Sequence, residues 1–487
     1  MFISGSQLGG TTRFQDIWRI SPRLTLNYGL RWDYFSPVTS PRKGGLANFD
    51  PGTGDILLAG LGDVSNSADV TTPFRDFAPR LGLAYKITKS TVVRAGFGRS
   101  FFSSGYDATF YHLTSFYPIT AQQQVPQTNL YQTVFPIDQP VPDATPPALP
   151  SSGRLKAPNG TLLKARPFDW KTETMDSWNF TIEQAIGRGA TLALAYVGSK
   201  GTHLSWSYNM NAANVGTGPL LSRRPFYQLY GLSQTISMEC NCSDSNFNSL
   251  QAVFNKQMSS WYTVTSNFTW GKSLGYSTAN PYNRTLDYGP GGNTIGAIDR
   301  KFVWTTLHSL RIPYGPGLRF GSNPNVVSRV LFAGWVFSGV TSFQSGLAFS
   351  PSLSSAATLN GDFGQRPNVV PGVPLYDVPG GQSAALWYSP SAFVSPAACC
   401  QVGNASVGML RGPGQINADW SLAKEFAFKS ILNRESTKVE IRAEAYNAWN
   451  NTNLGLPNAT VNSAAAGRIT GLQLPMRRLQ LGAHVNW

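Results

Sequence analysis

Side chains in this sequence sort by odd and even position over stretches of ten or more residues. In RLTLNYGLRWDYF, Leu24, Leu26, Tyr28, Leu30, Trp32 and Tyr34 share one parity, and Arg23, Thr25, Asn27, Gly29, Arg31 and Asp33 share the other. WYTVTSNFTW sets Tyr262, Val264, Phe268 and Trp270 against Thr263, Thr265, Asn267 and Thr269. KVEIRAEAYNAW sets Val439, Ile441, Ala443 and Ala445 against Lys438, Glu440, Arg442 and Glu444. A period of two is that of an extended strand with unlike faces. Soluble strands average about five or six residues. These are about twice as long, which is what crosses a bilayer at a tilt. The sequence closes on the same pattern, RLQLGAHVNW, with Leu479, Leu481, Ala483, Val485 and Trp487 on one parity. A frayed polar tail is the commoner ending.

Composition agrees with two unlike solvents. Only 13% of the 487 residues are charged while 41% are apolar, against about 25% charged in a soluble domain. Uncharged polar residues fill the difference, as suits a wall with lipid outside and water within. No run of 18 apolar residues occurs, which excludes a membrane-spanning helix. MFISGSQLGG has neither the basic start nor the apolar stretch of a signal peptide, so none is expected in this chain. The net charge of +14 is scattered. It suits a solvated basic lumen and loops, or attraction to anionic lipids and solutes, and not nucleic acid, because no clustered basic motif appears.

The alternation predicts thirteen strands, over about 12–20, 23–35, 80–88, 91–103, 172–186, 189–200, 246–258, 261–274, 300–312, 332–350, 414–428, 437–450 and 467–487, with 1–8 a candidate fourteenth. Short links such as Ser21-Pro22, Thr88-Lys89-Ser90, Gly187-Arg188-Gly189 and Ser259-Ser260 alternate with long ones over roughly 36–79, 104–171, 205–245, 275–299 and 351–413. A soluble domain rarely holds five loops of that length, whereas an outer-membrane barrel pairs short periplasmic turns with long outer loops. The predicted fold is therefore all-β: a transmembrane antiparallel up-and-down barrel, or part of one. Trp18, Trp32, Tyr34, Trp270, Trp449 and Trp487 fall at strand ends and are candidate anchors at the lipid headgroups. Trp487 would sit at the inner interface, where the wall stops.

Candidate chemistry is sparse. His112, His203, His308 and His484 are far apart, and His484 lies on the inferred lumen face. No metalloprotease, nucleophile-elbow or phosphate-loop motif occurs, so neither catalysis, nor a metal, nor a cofactor is expected. Lys438, Glu440, Arg442 and Glu444 form a charged stripe on the lumen parity. A carboxylate pair can do acid–base work, but a salt-bridge ladder is the simpler reading. Asp299 and Arg300 suggest a rim network. Cys240, Cys242, Cys399 and Cys400 lack common zinc spacing, which favours loop disulfides of unassigned pairing over thiols or a metal site. Among loop aromatics, Tyr106, Phe116, Tyr117, Trp206, Tyr282, Tyr288, Trp387 and Tyr388 are candidates for stacking on a solute or for packing the loops together.

FQDIWRISPRLTLNYGLRWDYFSP resembles the strand-turn-strand segment of TonB-dependent outer-membrane receptors, in particular their Oar-like branch. The likeness continues through FAPRLGLAYKITKSTVVRAGFGRSFF, MDSWNFTIEQAIGRGATLALAYVGSKGTHL and NFNSLQAVFNKQMSSWYTVTSNFTWGKSL. DRKFVWTTLHSLRIPYGPG, FAGWVFSGVTSFQSGLAFS, LRGPGQINADWSLAKEFAF and KVEIRAEAYNAWNNTNLGLPN follow in the family's order. The resemblance implies a barrel of about 22 strands around a plug on which TonB pulls to drive uptake. It also implies a last strand read by the barrel-assembly machinery. This chain shows no recognisable plug, TonB box or regulatory-like β-sandwich and about eight strands fewer, so it is expected to be a partial barrel domain over 1–487. The expected function is the barrel part of a transporter for a large or scarce solute, carbohydrate or siderophore-like, inactive in energised uptake without a plug. The alternatives are a structural or adhesive surface protein and a soluble all-β sandwich or propeller.

Overall fold

A computed structural model describes residues 9–103, 113–120, 147–187, 189–258, 261–276, 288–290, 299–315, 318–354, 366–396, 401–428 and 437–486. Thirteen strands form one antiparallel sheet in which each pairs with its neighbours along the chain. They are β1 (Gly9–Ser21), β2 (Leu24–Phe35), β3 (Asp76–Lys86), β4 (Thr91–Phe102), β5 (Glu173–Ala185), β6 (Ala190–Asn209) and β7 (Ile236–Met258), then β8 (Tyr262–Tyr276), β9 (Phe302–Arg311), β10 (Trp335–Gln344), β11 (Gln415–Phe428), β12 (Thr437–Tyr446) and β13 (Arg478–Asn486). All thirteen predicted strands are present. The single layer excludes the sandwich and propeller alternatives. Among the described residues, β1 and β13 have no partner on their outer edges.

The register turns parity into two faces. One lateral row runs Trp18, Leu26, Leu83, Ala95, Phe180, Tyr196, Leu250, Trp270 and Phe302 across β1 to β9. A second runs Leu310, Phe337, Leu422, Ala443 and Leu481 across β9 to β13. The opposite face carries Ile17, Asn27, Gly82, Gly96, Asn179, Val197, Ser249 and Gly271 in one row. The first row begins near the inner end of β1 and reaches the first residue of β9, which is the stagger of tilted strands in a barrel wall. Close contact sets some glycines: a Cβ on Gly198 would lie 2.4 Å from the Trp178 ring.

Tight turns close one end. Ser21 Oγ accepts from the amides of Arg23 and Leu24 at 3.2 and 3.1 Å. Gly187 and Gly189 adopt φ of 59° and 69°, which a turn of this kind requires. Six long connections gather at the other end and hold the buried core. Phe49, Ile56, Leu58, Phe116, Leu163, Phe226, Leu232 and Ile236 form one cluster there. Val38, Leu46, Val70, Leu113 and Trp170 form a second, and Phe349, Tyr388, Phe393, Leu410 and Val461 a third.

Three boundaries differ from the sequence reading. The last strand starts at Arg478, not near 467, because 447–477 is a sixth long loop. Asn447 and Asn450, at φ of 48° and 56°, end β12. The strand expected over 332–350 is confined to Trp335–Gln344, and a helix, α1 (Val326–Phe332), precedes it. Asn325 caps α1 by accepting from the Ser328 amide at 2.7 Å. β6 and β7 overrun the expected strands, to Asn209 and back to Ile236, and Ile236–Met238 pair in parallel with Leu163–Ala165 of the outer layer.

Candidate functional site

The long-loop rim gathers most of the buried charge. Asp299, just before β9, accepts from the Ser273 amide at 2.7 Å and pairs with Arg411 from the 345–414 loop. Arg411 also donates to the Asp299 carbonyl at 3.0 Å. Its neighbour Arg300 donates to the Ser345 carbonyl at 2.5 Å and to Gln415 Oε1 at 2.8 Å, and burial pushes its guanidinium down from the ordinary value. The rim network expected of Asp299 and Arg300 thus ties three strands to one loop. Next to it lies a cleft of about 530 Å³ lined by Tyr196, Leu250, Trp270, Lys272, Lys301 and Arg411. Aromatic and aliphatic surface beside three cations suits a flat or anionic group.

A second knot sits where β5, β6 and β7 enter the loops. Arg166 pairs with Glu239 at 3.0 Å and lies 3.8 Å from the centre of the Trp170 ring. Ser205 Oγ donates to Glu239 at 3.0 Å, and the Ser205 amide donates to Glu173 at 2.7 Å. Burial pushes the Arg166 guanidinium down, opposed by Glu239 and then Glu173. Nearby, Asp33 and Asp76 are cross-strand neighbours. Asp33 is held by Arg31 at 2.8 Å, and Asp76 by Thr172 at 2.6 Å.

The expected site residues fall in different places. Trp18 is exposed towards the tight turns, and Trp270 is exposed at the rim. Trp32 and Tyr34 lie at the outer end of β2, packed on Phe74 with ring centres 5.1 and 4.6 Å away. Trp449 follows β12 and packs on Trp420 and Phe343. Trp487 lies outside the described residues. In the stripe, Arg442 reaches Glu440 at 3.7 Å and Glu444 at 3.4 Å, an ion-pair ladder. Lys438 shares their parity by register, and its side chain lies outside the described residues. Cys240 and Cys242 are bonded to each other, while Cys399 and Cys400 lie outside the described residues. His484 stands opposite Glu440, and His308 falls on the apolar parity, 5.0 Å from the Phe337 ring.

The loop aromatics mostly pack. Phe116 and Tyr388 are buried, Tyr117 packs against the first cluster, and Trp206 makes tilted ring contacts with Tyr208 and Tyr276. Tyr288 packs edge-on to Tyr276. Trp387 donates to the Arg411 carbonyl at 2.8 Å. Tyr106, Tyr282 and His112 lie outside the described residues. Arg411, Arg166, Glu239 and Glu173 went unnoticed in the sequence, where nothing local marks them. Among the described residues no three His, Cys, Asp or Glu side chains are grouped to hold a metal.

A family model described as outer membrane beta barrel domain matches residues 12–480. No curated protein matches the sequence. Among solved structures, the FrpB iron transporter of Neisseria meningitidis (F3-3 variant) is similar at 10% identity and a TM-score of 0.44, over 99% of this chain and 46% of that one. The outer membrane transporter YddB of Escherichia coli is similar at 10% identity and 0.46, over 98% and 54%. A mutant of the ferric enterobactin receptor PfeA of Pseudomonas aeruginosa is similar at 10% identity and 0.45, over 98% and 44%. The chain spans about half the length of these structures.

Proposed function

Since the chain belongs to the outer membrane beta barrel domain family, we propose that it forms part of the wall of an Oar-like TonB-dependent transporter that takes up a large or scarce solute, carbohydrate or siderophore-like. As a family member it is an outer-membrane protein of a Gram-negative cell. The observation that carries the reading is the pairing of an apolar face with one of Gly, Ser, Asn and small side chains. That is how a wall between lipid and a water-filled lumen is built. The rim cleft beside Trp270 and Lys272 opens on the apolar face, so it lies at the outer margin of the lipid belt and not on the solute path. Trp18, Trp32, Tyr34, Trp270 and Trp449 anchor the wall at the headgroups.

Residues 1–487 act in this proposal as one partial barrel domain. β1 and β13 are separated by an even number of antiparallel steps, so they run in the same direction. Pairing them directly would make a parallel seam. A wall closed by antiparallel pairs therefore needs an odd number of further strands, and about nine would complete a barrel of about 22. TonB would act through a plug in the completed transporter. The barrel-assembly machinery would engage β13.

The test is solute uptake by cells carrying the full-length locus, with and without TonB. Uptake that needs both supports the proposal. Uptake that ignores TonB, or none for any solute class while the barrel is in the membrane, refutes it. A structural or adhesive surface protein is the second reading, favoured by the packed outer layer of three buried clusters. It predicts binding of surface partners with no solute flux in liposome swelling.

A further inference from the structure

The link between β9 and β10 is the only one at the tight-turn end, among the described residues, that forms a helix. Residues 312–334 carry two arginines, Arg319 and Arg329, and no carboxylate. The α1 side chains Val326, Val327, Val330, Leu331 and Phe332 are 50–70% exposed, and Leu318 and Phe320 beside them are exposed as well. A seven-residue helix does not persist alone in water, and one that is apolar on most sides should not face water at all. Two side chains hold it in place. Trp335 Nε1 donates to the Leu331 carbonyl at 2.8 Å, and Lys424 Nζ donates to the carbonyls of Leu331 and Ala333 at 3.2 and 3.0 Å.

Those tethers define the side on which α1 lies. Trp335 and Lys424 are cross-strand partners, in one lateral row with Ile441 and Ala483 on the apolar face. The helix therefore continues the apolar belt at its inner margin. The Arg319 guanidinium lies over the Phe320 ring at 5.5 Å, and Arg329 is exposed on α1 itself. We propose that 312–334 is an interfacial anchor: α1 lies in the leaflet at the tight-turn end, its apolar side chains among acyl chains and Arg319 and Arg329 among phospholipid phosphates. The occupant is lipid, because the patch is continuous with the lipid-facing belt and its charge is complementary to phosphate. This inference rests on the placement of the wall in the membrane.

Spin labels test it, on the full chain in vesicles of phosphatidylethanolamine and phosphatidylglycerol. Cys399→Ser and Cys400→Ser provide the background. Labels go on Val327→Cys, on Ser322→Cys in the same link, and on Leu481→Cys in the belt. The label on Val327→Cys is expected about 5–10 Å below the phosphates, with Ser322→Cys in water and Leu481→Cys deep. Arg319→Gln with Arg329→Gln should make it shallower in these vesicles, and less so in phosphatidylcholine alone, whose phosphates carry no net negative charge at the surface. A depth unchanged by the double substitution in the phosphatidylglycerol vesicles would overturn the phosphate pairing. A wet label at 327 beside a deep one at 481 overturns the anchor and leaves the wall standing. Wet labels at both overturn the wall placement as well. A label immobilised alike in detergent and vesicles, on an oligomeric chain, assigns the patch to a protein and also overturns the proposal.

Discussion

Replacing Glu239 with Gln should loosen the outer layer while sparing the wall. The side chains of Arg166 and Glu239 are only 2% and 4% exposed and meet at 3.0 Å. Asn48 fixes the Arg166 backbone from both sides, donating to its carbonyl at 3.1 Å and accepting from its amide at 2.8 Å. The guanidinium thus cannot swing out to water without dismantling the Leu163–Ala165 pairing. Glu239→Gln keeps the shape and removes the charge, leaving a buried cation. Breaking a buried pair in this way costs about 3–5 kcal/mol. Glu173 remains near enough to offset part of the loss, which places the effect near ~3 kcal/mol, or about a hundredfold more of the opened form. Limited proteolysis of 147–170 reads the opening, and heat-modifiable gel migration reads the wall. Arg166→Met with Glu239→Leu should recover most of the loss, because both charges leave together. Unchanged cleavage in Glu239→Gln, or no recovery in the double variant, would refute the ion-pair account.

Three further outcomes follow from the same geometry. Leu481→Arg should lower wall stability by about 2–4 kcal/mol, as a cation at mid-depth on a lipid face does, while Gln480→Arg on the lumen parity should stay within ~0.5 kcal/mol. Equal shifts in the urea midpoint for loss of the heat-modifiable form would show the faces misassigned. Tyr388 is fully buried and donates to the Asn458 carbonyl at 2.8 Å, and burial pushes its hydroxyl up from 10.0 to about 12. The folded loops therefore hold a proton that the unfolded chain loses above pH 10.0, so the stability of this layer falls as pH rises from there to about 12. Tyr388→Phe should flatten protease protection over that window at a cost of ~1 kcal/mol near neutrality, and an unchanged alkaline slope would count against it. Arg411→Met strands Asp299, whose side chain is 1% exposed. It should open the 401–414 segment to protease by roughly a hundredfold, and wild-type resistance would mean the pair carries little.

What the sequence made legible follows from how local each signal is. Every wall strand was readable because lipid on one flank imposes a rule on each residue, whatever its partner. Leu479 through Val485 show it without any knowledge of β12. The overrun of β6 and β7 was missed, although Leu204, Trp206 and Tyr208 keep the alternation, as do Ile236, Met238 and Cys240. Their greasy side is buried by loops instead of lipid, and the surrounding polar residues made the stretch look irregular. The end of the 447–477 loop, from 467 on, reads as a strand for the opposite reason: Leu472, Leu474 and Met476 mimic alternation, but asparagines at positive φ had already ended β12. The rim was legible only in part: Asp299 and Arg300 pointed to a network there, and nothing pointed to Arg411. Asp299 and Arg411 lie 112 residues apart, and only the folded register brings the 345–414 loop back over β9.

Two different solvents therefore stabilise two parts of one chain. The largest fully buried side chains, such as Tyr388, Phe49, Phe116 and Ile236, are almost all in the loop layer or the strand ends that enter it, while Leu481 in the wall is 82% exposed. The loop layer has a core of its own and should obey the rules of a soluble domain, in which cavities and broken ion pairs are costly. The wall has no comparable interior. Its order comes from the ladder of backbone hydrogen bonds, which hydrocarbon enforces because unpaired amides there have no water to turn to. Detergent or lipid exchange should act on the wall first, and protease or alkali on the loops first. The outer edges of β1 and β13, unpaired among the described residues, belong to the same logic: unpaired strand edges are tolerable in water and not in lipid, so the wall as proposed would have to cover them in a way that the loop layer need not.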